Sequence, residues 1–410
     1  MNGASNIYDA VIVGGGPAGA SAAIHLAGRG ARVLLAEQKR FPREKLCGEF
    51  ISPECLEHFE RLGVMEQMTE AGGAAVAETV FYSRSGRRVS VPSDWFGSAG
   101  AYALGLSRAE MDARLLKRAR ETGVCVLEEA IASGLLMDDG RVRGVRLKQN
   151  GRTLEFSSLI TIDATGRSRQ LARRVEREGR SRRSAMIRRA PLVAFKAHLE
   201  NARGDSSRCE IYFYPGGYGG LSRIENGLSN LCFIASARDV RECGGDAMRV
   251  MRTVVMKNRR AAETLSEAHA RSDWLAVSLE GFGRRRVVPA DGLLAVGDAA
   301  SFIDPFTGSG MLMALESGEL AAQCVARYLS MLRSNGSFDE LASEYRARYD
   351  KVFKSRLRVC ALMRRAAFVP RFAETLIFAL KASDRARKRL ARSTRRNEKQ
   401  NTESRIQESE

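Results

Sequence analysis

The chain has 410 residues, 44% of them hydrophobic, and a formal net charge of +18. A chain of this length buries a sizeable core and divides into two or three domains. Its eight cysteines contain no CxxC pair and no metal-ligand spacing, and it has only four histidines. This excludes a disulfide framework and a zinc module, and fits free thiols in a reducing cytoplasm.

The residues 9–13 (DAVIV) read as a short buried strand, GGGPAG as a turn, and about 17–29 as a helix. VLLAE, 33–37, is the next strand, so the chain opens as a strand–turn–helix–strand unit of a parallel sheet. SRAEMDARLLKRARETG, 107–123, begins with a serine cap and carries apolar residues at helical spacing. Strands follow over 124–130 and 135–166, with hairpin turns at DDG and QNG. Long β runs fill 191–281, apart from a helical stretch at 245–268, and TVFYSRSGRRVSV, 79–91, is expected to join that second sheet. GLLAVGDAA, 292–300, returns to the parallel style, and a helix spans about 310–332.

The fold class expected is α/β with an α+β second domain: a Rossmann-like parallel sheet interleaved with an antiparallel-sheet substrate domain, ending in helices. The first domain takes 1–78, 101–175 and 282–335, and the second takes 79–100 and 176–281. A helical region follows at 336–392, and a disordered polar tail is expected at 393–410.

Charge is unevenly spread along these segments. Ten arginines against two acids lie between Arg167 and Arg189, and RARKRLARSTRR, 385–396, holds seven bases and no acid. Such runs are read as solvated faces, with anionic lipid head groups as the alternative partner. Nucleic acid is excluded as a partner because no zinc finger or aromatic RNA-binding pattern accompanies the bases. No basic leader precedes an apolar core, and the expectation is a cytoplasmic protein. Its C-terminal helices either cap the second domain or attach to the inner membrane face through Phe368, Phe372, Ile377 and Phe378. The oligomeric state is not legible.

Gly14, Gly16 and Gly19 form GxGxxG between a strand and a helix, with Pro17 and Ala18 opening the helix. Gly14 allows the tight turn, Gly16 lets a pyrophosphate approach the backbone, and Gly19 permits close helix–strand packing. The helix N-terminus then faces the phosphates. Glu37, followed by Gln38, ends the second strand eighteen residues after Gly19, where a carboxylate accepts ribose hydroxyls.

GDAASFIDPFTGSG, 297–310, follows a later strand. The two motifs together, with a mid-chain ATG element, resemble the FAD-dependent group of aromatic hydroxylases, flavin-dependent halogenases and geranylgeranyl reductases over about residues 7–330. The resemblance implies that Gly297 and Asp298 hold the ribityl chain. It also implies that Pro305, Gly308, Ser309, Gly310 and Met311 line the isoalloxazine, at whose ring a helix dipole stabilises negative charge. Arg108 corresponds to the group's arginine near the FAD phosphates or ribityl, and Asp163 and Gly166 match its strand-exit element.

FPREKLCGEF, 41–50, is most similar to the geranylgeranyl reductases, and places Arg43, Lys45, Cys47 and Gly48 beside the flavin. Arg43, Lys45, Cys47 and Glu49 are the catalytic candidates. Prenyl reductases carry a YxWxFP-like element and halogenases WxWxIP; here the corresponding stretch is YPGGYGGLSRIENG, which has neither. Tyr212, Tyr214 and Tyr218 are the candidates for lining a substrate pocket. No second GxGxxG follows a strand, so NAD(P)H would bind transiently as reductant. The activity expected is an NAD(P)H-dependent monooxygenase of a small lipophilic aromatic or polyketide-like substrate. Alternatives are a prenyl-chain reductase, a halogenase, or a non-catalytic binder of prenylated proteins.

Overall fold

The computed structural model describes residues 7–393 apart from 99, 179–191, 305, 307, 335, 368–373, 375–376, 378 and 381–382. Pro305 and three of the four residues considered for membrane insertion, Phe368, Phe372 and Phe378, therefore lie outside the described residues.

Two large sheets organise the described chain. In the first, Cys125–Leu127, Val33–Ala36, Tyr8–Val13, Arg152–Asp163 and Leu293–Ala295 run parallel in that order. The long strand Arg152–Asp163 is shared. Its C-terminal half belongs to the parallel sheet, and its N-terminal half pairs antiparallel with Arg141–Gln149, which pairs with Ile131–Asp138. Parallel strands buried on both faces are read as continuous apolar runs, and Val33–Ala36 and Leu293–Ala295 are buried throughout.

The helix Pro17–Ala27 follows the first strand and is built from small residues. That permits the 24-residue helix Gly310–Arg333 to cross it at backbone distance. A Cβ on Gly318 would stand 2.3 Å from the Ala18 carbonyl oxygen, and Ser21 Oγ donates to the Leu315 carbonyl at 2.9 Å. Helix Arg108–Glu121 packs beside them, its first turn capped by Ser107 Oγ, which accepts from Glu110 N at 3.2 Å.

The second sheet has eight strands among the described residues, and Glu78–Tyr82 and Arg88–Pro92 join it as expected from their β pattern. It is antiparallel except where Glu78–Tyr82 meets Arg208–Tyr214. One face, with Phe195, Tyr212, Tyr214 and Phe233, packs on the short helices Ala247–Thr253 and Arg259–Leu265. The other, with Ala194, Phe213, Tyr218 and Ile234, turns toward the first sheet.

The 29-residue helix Asp339–Ala367 closes the first sheet's helical layer. Tyr345, Tyr349 and Phe353 recur at helical spacing and are buried. The Tyr345 hydroxyl donates to the Ala295 carbonyl at 2.8 Å, and Tyr349 pairs with Ser301 Oγ at 2.9 Å. Helix Asp384–Ser393 lies across the second sheet's edge, where Arg392 Nε donates to the Trp95 carbonyl at 3.3 Å. Ile377, considered for membrane insertion, is buried in an apolar cluster with Phe213, Tyr218 and Leu279. No helix among the described residues is long and apolar enough to cross a membrane.

Candidate active site

A cavity of about 640 Å³ lies between the two sheets. It begins at the glycine turn after Tyr8–Val13. Gly14 has φ +113°, and a Cβ there would meet the Ala164 carbonyl oxygen at 2.3 Å. Glycine is required at that turn. Glu37 Oε2 accepts Gly15 N at 2.8 Å and Oε1 accepts Lys39 N at 3.0 Å, so this carboxylate holds the turn while bordering the cavity with Gln38. Among the described residues no side chain caps the helix at Gly16, which leaves its first-turn N–H groups for a phosphate.

Two guanidinium groups converge on the same place. A Cβ on Gly16 would sit 3.7 Å from Arg108 Nη2 and 3.8 Å from Arg43 Nη2. Asp112 anchors both: Arg108 forks onto it at 2.9 and 2.7 Å, and Arg43 Nη1 lies 3.0 Å away. Among the described residues Arg43 Nη1 is nonetheless buried without a hydrogen bond of good geometry. Burial lowers the Lys45 ammonium pKa, and the nearby Arg108, Arg43 and Arg167 lower it further, with Asp298 opposing. Cations crowded in a low-dielectric cleft are a site for a polyanion.

At the far side of the turn, Gly297 has φ +56° and packs on Ala18. Its N–H donates to Ser317 Oγ at 2.8 Å. Asp298 is half-buried and borders the cavity. Burial raises its carboxyl above the ordinary range, against the pull of Arg167, Lys45 and Arg108. Gly48, Gly166, Gly308, Gly310 and Met311 border the cavity too, with Cys47, Pro17 and Ala18.

Other expected site residues stand elsewhere. Asp163 does not border the cavity. One oxygen accepts Thr165 N at 3.0 Å and Thr165 Oγ1 at 2.6 Å, and the other accepts Leu171 N at 3.2 Å and Ala172 N at 2.9 Å. It ties the strand exit to the helix Gln170–Glu178, because those unpaired helical N–H groups need an acceptor. Gly19 is a packing residue, since a Cβ there would meet the Gly14 carbonyl oxygen at 1.9 Å. Ser309 is fully buried at the start of helix Gly310–Arg333.

Strand alternation corrects the tyrosine set. Along Arg208–Tyr214 the odd positions Cys209, Ile211 and Phe213 face the cavity, while Tyr212 and Tyr214 point to the helical layer. Tyr212 donates to Glu210 Oε2 at 2.9 Å, and Tyr214 to the Ile234 carbonyl at 3.0 Å. Tyr218 does border the cavity, and its hydroxyl donates to Asp304 Oδ1. Burial raises the pKa of both Tyr218 and Asp304. Asp304 was not singled out in the sequence, although it lies in the IDPFTGSG stretch.

The end of the cavity beyond these loops is apolar. Phe81, Val89, Phe213, Leu279, Phe302 and Leu380 contribute to its wall. Gly220 stands there in the strand that carries Tyr218. This half fits a hydrocarbon, and the cation-ringed half fits a dinucleotide.

A sequence profile of the FAD binding domain family matches residues 7–354. The chain belongs to that family. It is an FAD-dependent oxidoreductase. Digeranylgeranylglycerophospholipid reductase 2 of Methanopyrus kandleri is 28% identical over 358 residues, 86% of this flavoprotein and 85% of the relative. Menaquinone reductase of Mycobacterium tuberculosis is 29% identical over 378 residues, covering 88% and 85%. Among solved structures, a geranylgeranyl bacteriochlorophyll reductase-like protein from Thermoplasma acidophilum aligns with TM-score 0.74 and 22% identity over 92% of this chain and 91% of its own. A flavin-dependent brominase aligns with TM-score 0.76 and 20% identity over 98% and 100%. These structural likenesses show the fold.

The residues present fit FAD. The uncapped helix at Gly16, with Arg43 and Arg108, would hold the pyrophosphate, Glu37 the adenosine ribose, and Asp298 the ribityl chain.

Proposed function

We propose that this flavoprotein reduces carbon–carbon double bonds of an isoprenoid chain carried by a lipid or quinone. The observation that carries the reading is the two-part cavity, whose apolar end is walled by the second sheet and holds Tyr218. The reductase names of the relatives support it. When bound, FAD supplies the hydride for such a reduction.

The chain's own groups do the rest. The apolar wall excludes water and holds the hydrocarbon in place. Tyr218 Oη, hydrogen-bonded to Asp304, gives its proton to the carbon that does not receive hydride and is reprotonated from Asp304, whose carboxyl pKa is raised by burial. Arg43 and Lys45 border the same cavity and favour negative charge on the reduced cofactor. A nicotinamide nucleotide, binding transiently, is the reductant in this reading.

Substrate access is part of the proposal. Leu362 borders the cavity and is 68% exposed, and Leu390 and Ala391 of the helix Asp384–Ser393 border it as well. Arg385, Lys388, Arg389 and Arg392 of that helix are exposed. An anionic membrane surface would seat this helix and present a lipid to the opening.

The deciding experiment is anaerobic reduction of the bound flavin, followed by a geranylgeranyl lipid or menaquinone without oxygen. Flavin reoxidation with gain of two hydrogens per double bond supports the reduction. Reoxidation only on admitting oxygen, with an oxygen atom in the product, returns the reading to the monooxygenase.

A further inference from the structure

The strand Leu192–Glu200 breaks its apolar pattern on the face turned toward the first domain. Leu192 and Ala194 lie in the apolar cluster with Phe213 and Tyr218, but Lys196 and His198, on the same face, are polar and buried. They meet two carboxylates from the loop that carries Arg43, Lys45 and Cys47. Lys196 Nζ donates to Glu49 Oε1 at 2.8 Å and also to Glu44 Oε2. His198 Nε2 lies 2.7 Å from Glu49 Oε2. Glu49 Oε1 accepts Arg108 N at 2.8 Å as well.

Glu49 is fully buried and has φ +51°, a left-handed conformation that a side chain other than glycine adopts only when its surroundings hold it there. Both of its oxygens accept hydrogen bonds, and it borders the cavity. Asn230 Nδ2, from the second sheet, donates to the Cys47 carbonyl at 3.1 Å and fastens the same loop.

The ligand atoms of Glu44, Glu49 and His198 lie within 4.8 Å of one another. Two carboxylates and an imidazole at that spacing are a donor set for a divalent cation. Here the ammonium of Lys196 stands among them and bonds to both carboxylates. We propose that Lys196 is the chain's own cation at a two-carboxylate, one-histidine site, and that it is a positioning residue which locks the flavin-facing loop 43–49 onto the substrate sheet. The proposal rests on the FAD site described above, and does not depend on which substrate is reduced.

The latch acts on the cofactor through Arg43, Lys45 and Cys47. Without the ammonium, Glu44 and Glu49 repel each other beneath the loop, and the cations move away from the cofactor. The reduced, anionic flavin then loses stabilisation.

The test compares FAD-loaded wild type with Lys196→Met. The bound flavin in the variant is expected to have a more negative reduction potential, and kcat is expected to fall roughly tenfold to a hundredfold with KM for the lipid nearly unchanged. The double variant Lys196→Met/Glu49→Gln removes the ion pair without leaving an unpaired buried charge. It keeps the fold where the single variant fails, and, having lost the tie between loop and sheet without gaining the carboxylate repulsion, should show a shift of the same sign but smaller size. Lys196→Ala is expected to bind one Zn2+ per chain and regain potential on adding Zn2+, and wild type is expected to do neither. A native potential in both Met variants overturns the latch. Zn2+ bound at this cluster by the wild type overturns the assignment of its cation. Loss of FAD from the wild type itself would instead count against the cofactor site.

Discussion

Gly297 rests directly on Ala18: a Cβ added to Gly297 would stand 2.9 Å from the Ala18 Cβ. One residue opens the late Gly-Asp loop and the other belongs to the first helix, so this contact joins the two halves of the candidate cofactor site. It depends on glycine twice, for space and for the φ of +56°.

Gly297→Ala is therefore expected to cost about 1–3 kcal/mol from backbone strain alone, and to shift the carboxylate of Asp298 away from the cavity. Thermal unfolding and the yellow absorbance of the purified protein check both effects. A variant with native Tm and full FAD content would refute the contact's role.

Asp298 is expected to pit stability against binding. In the folded chain its carboxyl pKa is raised by burial, with Arg167, Lys45 and Arg108 working the other way. A raised carboxyl favours the folded state at low pH, and that contribution is lost as pH rises through the folded-state pKa. Asp298→Asn should raise the Tm of the FAD-free protein at neutral pH, with the gain disappearing below the carboxylate range, while FAD content drops. Measured Tm values at neutral and acid pH, with flavin content, test the sign.

Tyr218→Phe keeps the ring packed against Phe306, whose centroid is 5.4 Å away, and removes only the hydroxyl. Reduction of the lipid by reduced flavin is expected to slow on the order of 10²-fold, with flavin reduction by NAD(P)H unchanged. Stopped-flow measurement of the two half-reactions separates them. Equal slowing of both would assign the hydroxyl to packing instead.

The helix Asp384–Ser393 gives a further prediction. Changing Arg385, Lys388 and Arg389 to glutamate should abolish co-sedimentation with phosphatidylglycerol vesicles at low salt. Activity on detergent-dispersed substrate should persist. Wild type that stays in the supernatant with such vesicles at low salt would remove membrane access from the proposed function.

Much of the candidate cofactor site was legible because it is local. GxGxxG after an apolar strand specifies a turn that only glycine can make, and Gly14 makes it with φ +113°. The Gly-Asp pair after a later strand was legible in the same way. The tyrosines were not: alternation shows that Tyr212 and Tyr214 share a face, but not which face the helices cover. PLVAFKAHLE did carry a signal for the latch, because Lys196 and His198 alternate into an apolar pattern. A buried ion pair needs partners more than a hundred residues away, and no spacing within the strand names Glu44 and Glu49.

The order of short-range elements and the glycine turn were determined by sequence alone, since they follow from backbone stereochemistry and the period of apolar residues, and FAD as the cofactor was legible through the resemblance of the two glycine motifs to the flavoenzyme group. Which side chains meet across the cleft was decided only by tertiary structure: Asp163 turned onto its own helix, Glu49 locked by Lys196, and Tyr218 set against Asp304. Those pairings depend on how two sheets face each other, and burial makes each polar group find the acceptor or donor that packing brings within reach.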